Sequence, residues 1–280
     1  MNSTLNINKT LVLGGTGKTG HRVAKRLIQR GFPVRIGSRS GKLPFDWNND
    51  ATWGPALRDV GAVYITYQPD LAVPAAVDAI DSFARLAVKS GARRLVLLSG
   101  RGEDEAQRAE QVLQNSGADW TILRASWFAQ NFSESFLLEA VLGGHIALPA
   151  GSVMEPFIDV EDIADVAVAA LVDDGHVGQL YEMTGPRMLT FAEAVAEVGK
   201  ASGRVLSYEE ISPDQYASLL KEHDVPPDYV ELVTYLFTTV LDGRNAHLAN
   251  GVHRALGREP RDFTGYARAA AATGIWDTPR

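Results

Sequence analysis

The chain has 280 residues, 45% of them apolar and 22% charged, and no cysteine. That composition suits a globular fold with one sizeable core, alone or with a small lobe, and excludes disordered and collagen-like chains. It also removes thiol nucleophiles, disulfides, iron–sulfur clusters and Cys-ligated zinc from the chemistries to consider. With 27 basic and 34 acidic side chains the net charge is −7, a field that repels phosphate backbones, so direct nucleic-acid binding is not expected. No apolar run approaches the roughly 18 residues of a membrane span, and Met1 to Lys9 is polar; the expectation is a cytoplasmic protein with no membrane attachment. The six histidines include no pair at metal-ligand spacing, and no metal is expected.

Short runs rich in β-branched residues predict strands at Thr10 to Leu13, Val34 to Ser38, Ala62 to Tyr67, Arg94 to Ser99 and Trp120 to Arg124. Between them, Val23, Ala24, Leu27 and Ile28 share one helical face, and Ala76, Ile80, Phe83, Ala84 and Ala87 another. Strand and helix alternating in this way predict an α/β fold built on a doubly wound parallel sheet, the Rossmann architecture, whose ligand crevice opens at the carboxyl ends of the strands. Beyond residue 125 the spacing predicts a helix over Trp127 to Leu142, a short strand near Phe157 and a helix over Val160 to Val172. A strand over Leu180 to Thr184 follows, then a helix opened by a capping box of Thr190 and Glu193. Ser212 to Leu241 reads as helix broken at Pro226-Pro227.

The first strand runs directly into Gly14-Gly15-Thr16-Gly17-Lys18-Thr19-Gly20 and then into an amphipathic helix. In a GxxGxxG pattern Gly14 makes the tight turn, Gly17 lets backbone N–H groups approach a pyrophosphate, and Gly20 allows close packing of helix on strand. Gly17-Lys18-Thr19 also resembles the end of a P-loop, but the glycine that loop needs five positions earlier is Val12, so that reading fails on spacing. At the end of the second strand stand Gly37-Ser38-Arg39-Ser40, with Lys42 close by and no carboxylate. A cation at that point accommodates the 2′-phosphate of NADP(H), with NAD(H) the less favoured dinucleotide. The expected division is a dinucleotide-binding domain over 1–150 and a smaller α/β substrate lobe over 151–280, some of whose strands return to the sheet.

The segments LVLGGTGKTG, LVLLSG, SGADWTILRASWFAQNF, EPFIDVEDIADVA and YEMTGP followed by LTFAEA resemble the NmrA-like, atypical short-chain dehydrogenase/reductase family nearly end to end. IGSRS with FDW and Trp53 is similar to the ergot-alkaloid branch of festuclavine synthases and agroclavine dehydrogenases. ILRASWFAQNF is similar to that branch and to NmrA-like quinone reductases. The resemblance implies a nicotinamide cofactor held by Gly14, Thr16, Gly17, Lys18 and Thr19, with Ser38 and Arg39 at the adenosine phosphate and Asp46 and Trp47 near the adenine. It also implies Tyr67, Gln68, Pro69 and Ser99 along the cofactor, and Ser126, Trp127 and Phe128 near the nicotinamide.

The standard reductase pair, a Tyr with a Lys four residues later that eases its proton release, aligns here with Gly102 and Ala106, neither of which donates a proton. Two readings survive. One is an NAD(P)H-dependent oxidoreductase whose acceptor needs little acid help: an iminium, whose charge the hydride cancels, or a quinone, which spreads its anion over a ring. Its partner is then a small aromatic or heterocyclic molecule, with Trp127, Phe128, Phe132 and Phe136 as a flat wall, Gln130 and Asn131 as polar anchors, and Tyr67 as the nearby phenol that could lend a proton. The other is a nucleotide-sensing regulator without turnover. The protein is expected to be a monomer or homodimer. Of the remaining acidic groups, Asp159 and Asp162 read as helix-start residues, and Glu103-Asp104-Glu105 as a solvated helix beginning.

Overall fold

The computed structural model describes residues 9–41 and 43–277; Lys42 and most of the N-terminal segment read for a leader lie outside them. The strands are β1 (Lys9–Leu13), β2 (Val34–Gly37), β3 (Val60–Ile65), β4 (Arg94–Gly100), β5 (Asp119–Ala125), β6 (His145–Leu148), β7 (Met154–Glu155), β8 (Gln179–Met183), β9 (Leu189–Thr190) and β10 (Ser207–Glu210). The helices are α1 (Gly20–Gln29), α2 (Trp53–Leu57), α3 (Ala75–Lys89), α4 (Asp104–Gln114), α5 (Asn131–Glu134), α6 (Leu138–Gly143), α7 (Val160–Val172), α8 (Phe191–Ser202), α9 (Pro213–Glu222), α10 (Pro227–Tyr235), α11 (Gly251–Leu256) and α12 (Phe263–Ala271). A six-stranded sheet runs in the order β2-β1-β3-β4-β5-β8. β1 pairs in parallel with both β2 and β3, and β3 in parallel with β4. This is the Rossmann-like α/β fold that the alternation predicts.

The chain divides into two compact units. The first takes the described residues up to Arg124 together with Glu161–Glu182 and Gly251–Arg258. The second takes Ala125–Val160, Met183–Asn250 and the residues from Glu259 on. The expected boundary at 150 thus falls inside the second unit, and two later segments return to the first.

In the first unit, Leu11, Leu13, Val63, Ile65, Leu95 and Leu97 are fully buried beneath Ile80, Phe83 and Ala84 of α3, the face read from the spacing. On α7, Glu161 accepts from Arg22 of α1 at 2.5 Å and Asp165 from Arg26 at 2.7 Å. Arg258 brings the last returning segment to Asp162 and Asp165, both at 2.7 Å. Asp162, read as a helix-start charge, is fully buried in that pairing.

In the second unit, β6 pairs in parallel with β10 and β7 antiparallel with β9. Its core is aromatic: Phe132, Phe157, Phe191, Phe263 and Trp276. The capping box of Thr190 and Glu193 forms as read, and a second one, Ser212 with Gln215, opens α9. The continuous helix expected over Trp127 to Leu142 is instead two short ones, because Ser135 is extended at φ −154, ψ −160 and ends α5. The strand expected near Phe157 is displaced to Met154–Glu155, and past Phe157 only a single bridge joins Ile158 to Phe128.

Candidate functional site

The three motif glycines differ in what forbids a side chain. Gly14 turns the chain at φ +60, and a Cβ there would lie 2.3 Å from Thr66 Oγ1. At Gly20 a Cβ would lie 2.2 Å from the Gly14 carbonyl oxygen, so that position is fixed by packing of the helix start on the loop. At Gly17 the one neighbour within 4 Å, among the described residues and chain neighbours aside, is the Gly14 carbonyl oxygen at 3.3 Å. The fold itself asks least of Gly17, and the space before it is what an approaching pyrophosphate needs. Beyond it α1 starts with no acidic residue in its first turn and no capping bond from Thr19, leaving the positive end of the helix dipole uncovered. Thr16 is exposed and Lys18 half-buried, whereas Thr19 is buried with its side chain against the Tyr64 hydroxyl.

Arg39 stands exposed beyond β2 and has no partner among the described residues. Ser38 beside it is half-buried, its carbonyl receiving the Gly41 and Phe45 amides. Asp46 and Trp47 follow in a turn: Asp46 Oδ1 accepts from the Asn48 amide, and its carbonyl accepts from Trp53 Nε1 at 2.8 Å. Trp47 Nε1 donates to the Thr66 carbonyl at 3.0 Å, while the Thr66 hydroxyl donates to the Leu13 carbonyl at 3.2 Å. Thr66 therefore ties the ends of β1 and β3 together beneath the glycine loop; nothing in the sequence pattern singled it out.

Trp47 packs edge-on to Phe45 and Phe83 and tilted against Tyr67, with centroids 5.0 Å apart in the last pair. Tyr67 is half-buried, and that burial pushes its phenol above the ordinary value, which makes it a weaker acid than a free tyrosine. Gln68 and Pro69 are exposed and joined by a cis peptide. Ser99 is buried, and its hydroxyl donates to Glu110 Oε1 at 2.6 Å; Glu110 in turn is held by Arg124 Nε at 2.9 Å. Glu110 sits among the alanines of the buried face of α4, a carboxylate in an otherwise apolar stripe that the spacing could have exposed. Gly102 turns the chain at φ +75, and Ala106 on α4 is fully buried.

Glu103 corrects the reading of a solvated helix beginning. It is 8% exposed and hydrogen-bonded to Asp70, because its side chain folds back over Gly100 instead of toward water.

In the second unit, the wall expected from four aromatics does not form: Trp127 and Phe128 precede α5 in non-helical backbone, Phe128 bridging to Ile158, and the break at Ser135 parts Phe136 from Phe132. Phe132 is fully buried in the core, Phe136 is 40% exposed, and Trp127 and Phe128 are half-buried. Trp127 packs against Phe237 at 4.9 Å and edge-on to Phe191 at 5.4 Å, and its amide donates to Glu155 at 3.2 Å. Gln130 is corrected as an acceptor anchor: it is 3% exposed, its Nε2 donates to Asp159 at 2.7 Å and its Oε1 accepts from the Val160 amide at 2.9 Å. Both halves of that amide are spent on the start of α7. Ser126 is buried with its amide on the Met183 carbonyl, and Asn131 is half-buried at the first residue of α5. Among the described residues no three His, Asp or Glu side chains are grouped to hold a metal ion, and no helix is long and apolar enough to cross a membrane.

Fold and glycine loop together define a nucleotide-binding α/β protein. The model of the NAD(P)H-binding family matches residues 14–174, the stretch that holds the loop, Arg39 and the Ser99 strand end. The chain belongs to that family, and it is an NAD(P)-binding oxidoreductase of NmrA-like architecture. It is 33% identical to the uncharacterized oxidoreductase YesF of Bacillus subtilis (strain 168), over 96% of this chain and 98% of that one. It is 28% identical to the NAD(P)H azoreductase of Xenophilus azovorans, over 94% of this chain and 98% of that one. Among solved structures, the NADPH-dependent quinone oxidoreductase QOR2 of Escherichia coli with NADPH superposes with a TM-score of 0.77 at 19% identity, covering 93% of this chain and 99% of that one.

Proposed function

We propose that the protein is an NADPH-dependent reductase of flat, conjugated small molecules, of which quinones, azo compounds and cyclic iminium ions are the candidate classes. The observation that carries this reading is the division of labour in the glycine loop, where Gly14 and Gly20 are tightly constrained by the protein and Gly17 far less. The names of the azoreductase and quinone oxidoreductase relatives point to the same acceptor chemistry.

When bound, the dinucleotide supplies the hydride. The chain's own part is binding and orientation. The loop at Thr16, Gly17 and Lys18 with the open end of α1 receives the pyrophosphate, and Arg39 with Ser38 receives the 2′-phosphate, which is why NADPH is favoured over NADH. Trp47, fixed by its bond to Thr66, faces the adenine. Ser99, its hydroxyl already donated to Glu110, lines the cofactor as a packed rather than a reacting group. In the second unit, Trp127 is the ring that would stack on an acceptor, held by Phe237 and Phe191.

The test is to follow loss of reduced-nicotinamide absorbance with purified protein, NADPH and a panel of quinones, azo dyes and cyclic iminium ions. Oxidation above the uncatalysed rate with at least one class is expected. Tight NADPH binding without oxidation by any acceptor would overturn the reductase reading and support a nucleotide sensor.

A further inference from the structure

At the carboxyl ends of β3 and β4 the first unit sets two carboxyl groups against one another, Glu103 buried and Asp70 half-buried. Asp70 lies just beyond β3 and Glu103 just beyond β4, at the sheet edge where folds of this class open to their ligand. Glu103 occupies the N-cap position of α4, yet its side chain makes no capping bond. It folds back over Gly100, where a Cβ would lie 2.0 Å from Oε1, so a glycine is required to seat it. Its Oε2 is buried without a hydrogen-bond partner among the described residues, an atom placed for a proton or a ligand the protein does not itself supply. Asp70 is fixed by the Ala72 amide at 2.9 Å and hydrogen-bonded to Glu103.

Among the described residues the charged groups facing the pair are few. Glu110 reaches it from α4 and adds negative charge; Lys18, from the glycine loop, is the cation that acts on Asp70. Arg124 is committed to Glu110, and Arg101 is paired with Glu182 at 2.8 Å. Two touching carboxyl groups behind one lysine do not both ionise. Burial first, and then the neighbouring Asp70, hold Glu103 well above the usual carboxylate range; burial also raises Asp70.

We propose that Asp70 and Glu103 hold one proton between them and deliver it to the anion that hydride addition leaves on a neutral acceptor. This rests on the reductase reading above. Hydride addition to a quinone or an azo compound transfers two electrons and leaves a negative oxygen or nitrogen. The new O–H or N–H bond at that atom forms as the O–H bond of Glu103 breaks, the nicotinamide is the group oxidised, and the emptied pair regains its proton from water. A cationic acceptor is neutralised by the hydride itself and takes no proton. The pair thus replaces the proton-donating function that Gly102 and Ala106 lack.

Two readouts test this. Infrared spectra of the cofactor-free protein should show a protonated-carboxyl C=O band that persists at neutral pH in the wild type and disappears in Glu103→Gln. In turnover, Glu103→Gln should lower the ratio of quinone rate to cyclic-iminium rate by about 100-fold, the scale of general acid catalysis, with Asp70→Asn shifting the same ratio in the same direction. An absent band, or a variant in which both acceptors slow equally, would overturn the proposal. If the wild type oxidises NADPH with neither acceptor, the reductase reading falls and the delivery step falls with it; an active wild type with an unchanged ratio removes the carboxyl pair alone.

Discussion

A Cβ on Gly20 would lie 2.2 Å from the carbonyl oxygen of Gly14, closer than any packed pair of atoms tolerates. The loop is closed on itself between these two residues, and Gly17 stands between them with far less crowding. Gly20→Ala is therefore a stability variant: it should cost about 1–3 kcal/mol through overpacking, seen as a lower urea midpoint in the cofactor-free protein. An unchanged midpoint would mean that the helix start moves freely.

Arg39→Ala should weaken NADPH by roughly 1.5–3 kcal/mol, the scale of a charged hydrogen bond, and leave NADH nearly unaffected. Titration calorimetry with both dinucleotides checks it. Equal losses would show that this exposed cation does not read the 2′-phosphate.

Gln130→Leu should destabilise the fold by about 1–3 kcal/mol, because it strips a buried partner from both the Val160 amide and Asp159. Denaturant unfolding measures the loss. A neutral effect would return Gln130 to the list of acceptor anchors.

The Asp70–Glu103 pair also sets a pH dependence of stability. A carboxyl raised in the folded state keeps its proton where the unfolded chain has lost it, so its stabilisation is present below the ordinary Glu value, about 4.3, and is lost as pH rises through the raised one. Wild-type stability should decline across that window, and Glu103→Gln, which carries no titrating proton, should decline less. Glu161, Asp173 and Asp262, held low chiefly by their arginine partners, act in the opposite sense and only at more acid pH. Urea midpoints at several pH values for both proteins decide it; parallel curves would contradict a buried protonated carboxyl.

Much of this was legible in the chain. The strand ends that carry the loop, Arg39 and Ser99 follow from local runs of β-branched residues, and α7 was bounded correctly by its own periodicity. Three of the failures share a physical cause, since each depended on a distant partner. Glu103 looks solvated until Asp70, 33 positions away in sequence, is seen against it. Gln130 looks free until Asp159 and Val160 arrive, and Asp162 looks like a helix-end charge until Arg258 returns to it. The break at Ser135 is of another kind: the aromatic spacing continues through it, and only the extended backbone shows that Phe132 and Phe136 no longer share a face.

The space before Gly17 is the proposed seat of the pyrophosphate. Calorimetric titration of NADPH into Gly17→Val, with circular dichroism to establish that the variant is folded, tests it most directly. A folded protein with no measurable binding is expected; a folded Gly17→Val that binds NADPH as the wild type does would show that the space serves no pyrophosphate.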